Sequence, residues 1–567
     1  MPPPIRRARA RLRRALRFAL VIAFALASSV ALARRRERSS TTTAGDANAS
    51  PRDGRADGRV NASASTDAIA RDESDAVMTD KDKGENQTFW ARTTADHARA
   101  NQVKDAMREA YGAYATHAFG ADELAPNSRE RRNDFGGIGA TLIDSLDTLK
   151  LMGLEEEFAR ALTYLKDGNS KFRALVTGTT DRDVSVFETN IRVLGGLLST
   201  YDMTGDGDVL ELAETLATRL SAAFQTPSGV PRSFVNVKTG RSFGLAWTGT
   251  ASILADFGSM HLEWATLSAR SKNPIYEAHT AAVFDAIARA PVGAQAPKGL
   301  FPVLFDPERG AWVGNKVSFG ALGDSFYEYL IKCWRSLDGL HNADAWRLMF
   351  DAAIAGMNTS LLRTWKTSEN GETFSYITPI GDVVNSMEHL ACFAPGILIL
   401  GAAEAPTQAL GEEYVRMAKD IARTCVAMYT STATGLAADR VQFAANAAAP
   451  LILDPKNIQR PETVESLFYL YRKTGEEMYR DQAWMIFQSM KKHYRTAYGG
   501  WQGLVNVNAP TPQGDDKMQS FFLAETLKYL YLTFCDSSVV HLDEWVFNTE
   551  AHPLKITKQK RSEVIKR

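Results

Sequence analysis

The chain has 567 residues, of which 45% are hydrophobic and 23% charged, the proportions of a soluble globular protein with a sizeable core. Basic and acidic residues both total 66, but eleven arginines lie within the first 38 residues, leaving 55 basic against 65 acidic residues in the rest. That acidic remainder argues against a nucleic-acid surface on the main domain. Four cysteines (Cys333, Cys392, Cys425, Cys535) without CxxC spacing argue against a zinc ribbon.

In chain order, Arg6 to Arg17 form a basic cluster ahead of an apolar run, Phe18 to Ala33, that ends at Arg34-Arg35-Arg36. About 16 residues are slightly short for a spanning helix and long for a signal-peptide core. The excess of arginine before the run predicts a type II signal anchor over 18–33, with residues 1–17 cytosolic and the rest luminal. A cleaved signal peptide and an organelle transit peptide are the alternatives. From Ser39 to about Glu85 the chain is Ser, Thr, Ala, Asp, Gly and Arg, which cannot bury enough surface to fold, so 34–88 reads as a disordered luminal stem. Sequons at Asn48, Asn61 and Asn86 fit a luminal location, and a fourth is at Asn358.

Residues 89–556 form the folded part, with a tail at 557–567. Helical patterns alternate there with Gly- or Pro-marked breaks, and period-two strands are few. Leu142, Leu146 and Leu149 mark one apolar face; Ile191, Leu194, Leu198 and Tyr201 a second; Leu527, Leu530, Tyr531 and Phe534 a third. Two helices end alike, at Gly205 and Gly475, each read as the C′ residue. Superposing those ends places Leu194, Leu197 and Leu198 over Val464, Leu467 and Phe468, while Glu188 and Glu462 fall about one turn apart. The repeat is therefore of helix pairs, in an open solenoid or a closed toroid.

Acids lead several of these helices. In Arg460-Pro461-Glu462-Thr463-Val464-Glu465-Ser466, Pro461 suits a first turn and Glu462 and Glu465 share one face. Glu188, Asp324 and Glu525 likewise precede apolar helical runs. An acid at one helix start commonly only complements the dipole, but helix starts brought together would make an acidic pocket. Asp134 to Thr141 is Gly-rich without a P-loop ending, and neither His-Glu-x-x-His nor Gly-x-Ser-x-Gly occurs. Dispersed carboxylates beside Arg192 and Arg460 suit glycoside hydrolysis or a hard-cation site.

The motifs Gly136–Leu149, Val186–Leu198, Gly323–Leu330, His389–Phe393, Arg460–Ser466, Ser520–Leu530 and Phe547–Pro553 resemble those of the class I α-1,2-mannosidases that trim N-linked glycans, over about residues 95–556. The resemblance implies an all-α (α/α)7 barrel closed by a C-terminal hairpin, and an inverting hydrolase acting on high-mannose N-glycans. It implies one calcium ion, held by the backbone and hydroxyl oxygens of Thr549 with waters and substrate hydroxyls. Carried over by position, Glu188 and Asp324 stand on the acid side and Glu462 is the base. Arg192, Glu263, His389, Arg460, Phe521, Glu525 and Glu550 would line the subsite or its surroundings, and Glu465 would order water near the metal. Cys392 and Cys425 match the family's disulfide, leaving Cys333 and Cys535 as buried thiols.

Members confined to one mannose carry arginine two residues before the equivalent of Asp324; here that residue is Leu322, as in Golgi-type members. Leucine leaves room for several glycan branches, so the expectation is successive trimming from nine mannoses toward five, in the Golgi lumen or the endoplasmic reticulum. The alternatives are a catalytically weak relative that recognises mannose on misfolded glycoproteins, and a non-enzymatic helical scaffold.

Overall fold

The structure, a computed structural model, describes residues 89–336 and 343–557. The expected tail (1–17), anchor (18–33) and stem (34–88), with sequons Asn48, Asn61 and Asn86, lie outside those residues.

Seven inner helices set the architecture. Leu146–Leu151, Gly195–Thr204, His261–Ser271, Asp324–Ser336, Ala394–Ala403, Glu462–Thr474 and Leu527–Thr533 pack each on the next, and the π-helical turn Phe522–Thr526 returns the last to the first. Outer helices follow the first six in sequence, from Glu155–Lys166 to Glu477–His493. The seventh is covered by the N-terminal helix His97–His117, so the beginning and end of the domain close the ring. This is the (α/α)7 barrel, and the toroid rather than the solenoid.

Burial follows the apolar pattern. Every residue from Glu462 to Arg472 is buried, whereas the outer helix Glu155–Lys166 buries only Phe158, Ala161 and Leu165. Gly205 and Gly475 end their helices at φ +71° and +68°, the left-handed cap expected of both. Cys392 and Cys425 are disulfide-bonded; Cys333 and Cys535 are buried thiols. Asn358 lies on the helix Ala343–Ser360, its side-chain amide donating to Glu413.

Strands are more numerous than the sequence suggests: the described residues hold fifteen, of two to five residues, in six small antiparallel sheets. So short a strand leaves no alternation to read. Three of them lead straight into site segments: Asp183–Ser185 into Val186–Glu188, Ser252–Ile253 into Leu254–Gly258, and Ser386–Glu388 into His389–Phe393. At the C-terminus, Trp545–Phe547 pairs with Pro553–Lys555, and this hairpin packs on the helices Gly195–Thr204 and Asp324–Ser336. Gly195 and Gly196 make that approach possible. A Cβ on Gly195 would stand 2.4 Å from Asn548 Nδ2, and one on Gly196 3.3 Å from the His552 ring.

Candidate active site

The helix starts do meet. Asp324 and Glu462 are the first residues of their helices, and both face one cavity of about 270 Å³. Arg192 and Glu525 reach the same cavity from the π-helical turns Thr189–Leu194 and Phe522–Thr526, and Thr549 and Glu550 from the turn of the C-terminal hairpin. Single π turns inside α-helices recur at functional sites because they re-aim side chains that regular winding would turn away.

On one wall, Glu462 Oε2 lies 2.6 Å from His389 Nδ1, and its Oε1 3.7 Å from Arg460 Nη1. His389 Nε2 meets two hydroxyls, Tyr429 at 2.8 Å and Thr463 at 3.1 Å. Burial holds the Tyr429 phenol far above its usual range, so it stays a donor. With the Tyr429 hydroxyl as donor to Nε2, the neutral ring carries its proton on Nδ1, facing Glu462 Oε2, a tautomer assigned from the hydrogen-bond network. Arg460 is held in turn by Asp439.

Another part of the lining is acidic. Burial, helped by Glu328, Glu388 and Glu462, raises the Asp324 carboxyl to about 7 against the single opposing amide of Ser325. Asp256, from Leu254–Gly258, is raised to about 8 by burial and then by the charges of Glu188 and Asp324. Glu188 is not among the residues that line the cavity; its Oε2 accepts from Arg192 Nε at 2.8 Å. Leu322 also lines this wall, at φ +76°, its carbonyl accepting from the Ala255 amide at 3.0 Å. A leucine in that conformation is strained, and this backbone bond helps keep it facing the cavity.

Beneath lies a dense set of carboxylates: Glu263, Glu328, Glu465, Glu525 and Glu550, against the cations Lys332 and Arg192. Lys332 pairs with Glu328, and Arg192 with Glu550. Burial pushes Glu465 up to about 8 and Glu525 well above the carboxylate range, with neighbouring acids adding to both. Glu263 Oε2 is buried without a hydrogen-bond partner. Such an uncompensated floor fits a divalent cation. Among the described residues no group of three or more His, Cys, Asp or Glu is placed to hold one directly; Thr549 lines the cavity beside these acids.

Residues 106–556 match glycosyl hydrolase family 47. The chain belongs to that family. It is 42% identical over 465 residues to the mannosyl-oligosaccharide 1,2-alpha-mannosidase MNS1 of Arabidopsis thaliana, covering 81% of this chain and 79% of the relative. To the human mannosyl-oligosaccharide 1,2-alpha-mannosidase IC it is 39% identical over 464 residues, 81% of this chain and 71% of that one. The alpha-1,2-mannosidase from Trichoderma reesei superposes with a TM-score of 0.74 at 29% identity, covering 82% of this chain and all (100%) of that structure.

Within this family 47 site, Arg192, Leu322, Asp324, Arg460, Glu462, Glu465, Phe521, Glu525, Thr549 and Glu550 all reach the cavity, as expected. Three of the expected site residues do not line it: Glu188, and His389 and Glu263, both expected in the subsite or its surroundings. His389 is 1% exposed with both ring nitrogens used, and acts on Glu462 from behind. Glu263 is fully buried below the hairpin turn: its Oε1 accepts from Tyr329 and from Asn548, and the Tyr329 oxygen lies 3.4 Å from the Thr549 amide. Asp256 and Glu328 line the cavity without having been singled out. Asp256 carries the signal that found the others, an acid at a helix start, but its helix has five residues and shows no apolar period.

Proposed function

We propose that this chain hydrolyses terminal α-1,2-linked mannoses of high-mannose N-glycans, with inversion, down toward five mannoses. The observation that carries the reading is one small cavity lined both by Glu462, hydrogen-bonded to His389, and by Asp324, a buried carboxyl whose pKa is raised by burial. Its volume, about 270 Å³, is at the low end of ligand pockets (roughly 300–1,000 Å³). It admits one terminal sugar and leaves the rest of the glycan outside.

Each residue then has a task. Phe521 offers an apolar face to the ring, and Arg192 and Arg460 donate to its hydroxyls. Glu188 and Asp324 deliver a proton, through water, to the glycosidic oxygen. Glu462, its lone pairs oriented by His389, takes a proton from the attacking water on the opposite face. Thr549 would hold a calcium ion through its oxygens, and Glu465, Glu525 and Glu550 would order water around it. Such an ion would supply Lewis-acid stabilisation of the substrate.

The proposal includes a type II anchor over 18–33 and a Golgi-luminal domain, supported by the arginines that precede the apolar run. Among the described residues no helix is long and apolar enough to cross a membrane.

The test is the time course of glycan products from a nine-mannose substrate, with and without a calcium chelator. Several mannoses should be lost in succession, and chelation should stop the release. Arrest after a single mannose would overturn the reading of Leu322; release after rigorous calcium removal would overturn the metal. No release by untreated protein would leave the glycan-recognising relative.

A further inference from the structure

Asp144, Asp147, Lys528 and His552 are fully buried, and none lines the cavity. Lys528 Nζ donates to Asp147 Oδ1 at 2.7 Å and to the Ala551 carbonyl at 2.6 Å. His552 Nδ1 lies 2.7 Å from Asp147 Oδ2, and its Nε2 3.3 Å from Asp144 Oδ1. Asp144 Oδ2 accepts from Arg192 Nη1 at 3.4 Å, and the same nitrogen bonds Glu550. A closed circuit thus joins a helix at the start of the domain, another near its end, and the hairpin turn that carries Thr549.

The turn itself is unusual. Ala551 sits at φ +58°, which alanine seldom adopts unaided. Asn548 Oδ1 accepts from the amides of Glu550, at 2.9 Å, and His552, at 2.8 Å. Thr549 and Glu550 face the cavity, while the Ala551 carbonyl and the His552 ring face the circuit. Packing alone gives no reason for ions here, because apolar side chains of similar volume fill a buried site as stably. Directional bonds to one carbonyl and one ring do give a reason: they fix a conformation.

We propose that Asp147 and Lys528 are positioning residues, a clamp that holds the Asn548–His552 turn in shape so that the oxygens of Thr549 are set before any cation arrives. Its metal arm rests on the calcium reading above; its conformational arm does not.

The first test is hydrogen exchange on the wild-type protein stripped of calcium. The amides of Glu550 and His552 should stay protected like the barrel core. Fast exchange of both, with the core still protected, would overturn the clamp. The second test is the double variant Lys528→Met/Asp147→Asn, which removes both charges together. Its calcium Kd, read from the calcium dependence of Tm, should rise about tenfold or more. A lower Tm in chelator with an unchanged calcium Kd would mark a merely structural role and overturn the proposal. Wild-type protein without any calcium-dependent Tm shift would remove the calcium reading itself, and the exchange experiment would still decide the clamp.

Discussion

On one wall of the cavity Glu462 is bonded at one oxygen by His389 and faced at the other by Arg460; on the other wall Asp256 and Asp324 form no ion pair among the described residues and stand in each other's field. The first arrangement fixes a direction: a carboxylate bonded on one side presents its remaining lone pairs on another. The second fixes a protonation state, since burial and like charges both penalise the anion. Under the proposed mechanism Glu462, as base, uses the former and Asp324, as acid, the latter. The same side-chain type is thus set to opposite tasks by what surrounds it.

Substitutions can break this division in order of severity. Glu462→Gln keeps the bond to His389 but cannot take a proton, so kcat should fall by roughly 10³-fold or more while glycan binding survives. Unchanged turnover would refute its role. Asp324→Asn removes an acid-side carboxyl and should cost roughly 10²-fold in kcat. In the wild type, activity that needs protonated Asp324 is full below its raised value and falls as pH rises through about 7; in the variant that limb should vanish from the profile of kcat against pH. A limb left in place would assign it to another group. The mildest change is Asp256→Asn. Because Asp256 keeps its proton to about 8, an amide imitates its neutral state, and kcat at pH 6 should change by less than about threefold.

Much of the fold is legible in short stretches, because an apolar period of 3.6 and a glycine cap are local signals. Leu194, Leu198 and Tyr201 report their helix, and Gly205 and Gly475 report its end and that of a second. The candidate acids Glu188, Asp324, Glu462 and Glu525 are legible for the same reason, each standing before an apolar run. Leu254–Gly258 is too short to show a period, so Asp256 escapes notice. The motifs place His389 and Glu263 in the subsite or its surroundings, and only distant contacts show that both stand behind the lining. Tyr429 lies 40 residues after His389, and Tyr329 66 residues after Glu263.

The sequence by itself determined helix pairs, acid-led helix starts and the motifs of one hydrolase family. Tertiary structure decided that the pairs close into a ring, which acids share the cavity, and which charges and hydrogen bonds surround each of them. The reason is physical. Helical periodicity is set by neighbours within a turn or two, whereas burial and charge are summed over everything within several ångströms, and in this barrel those neighbours come from every part of the domain.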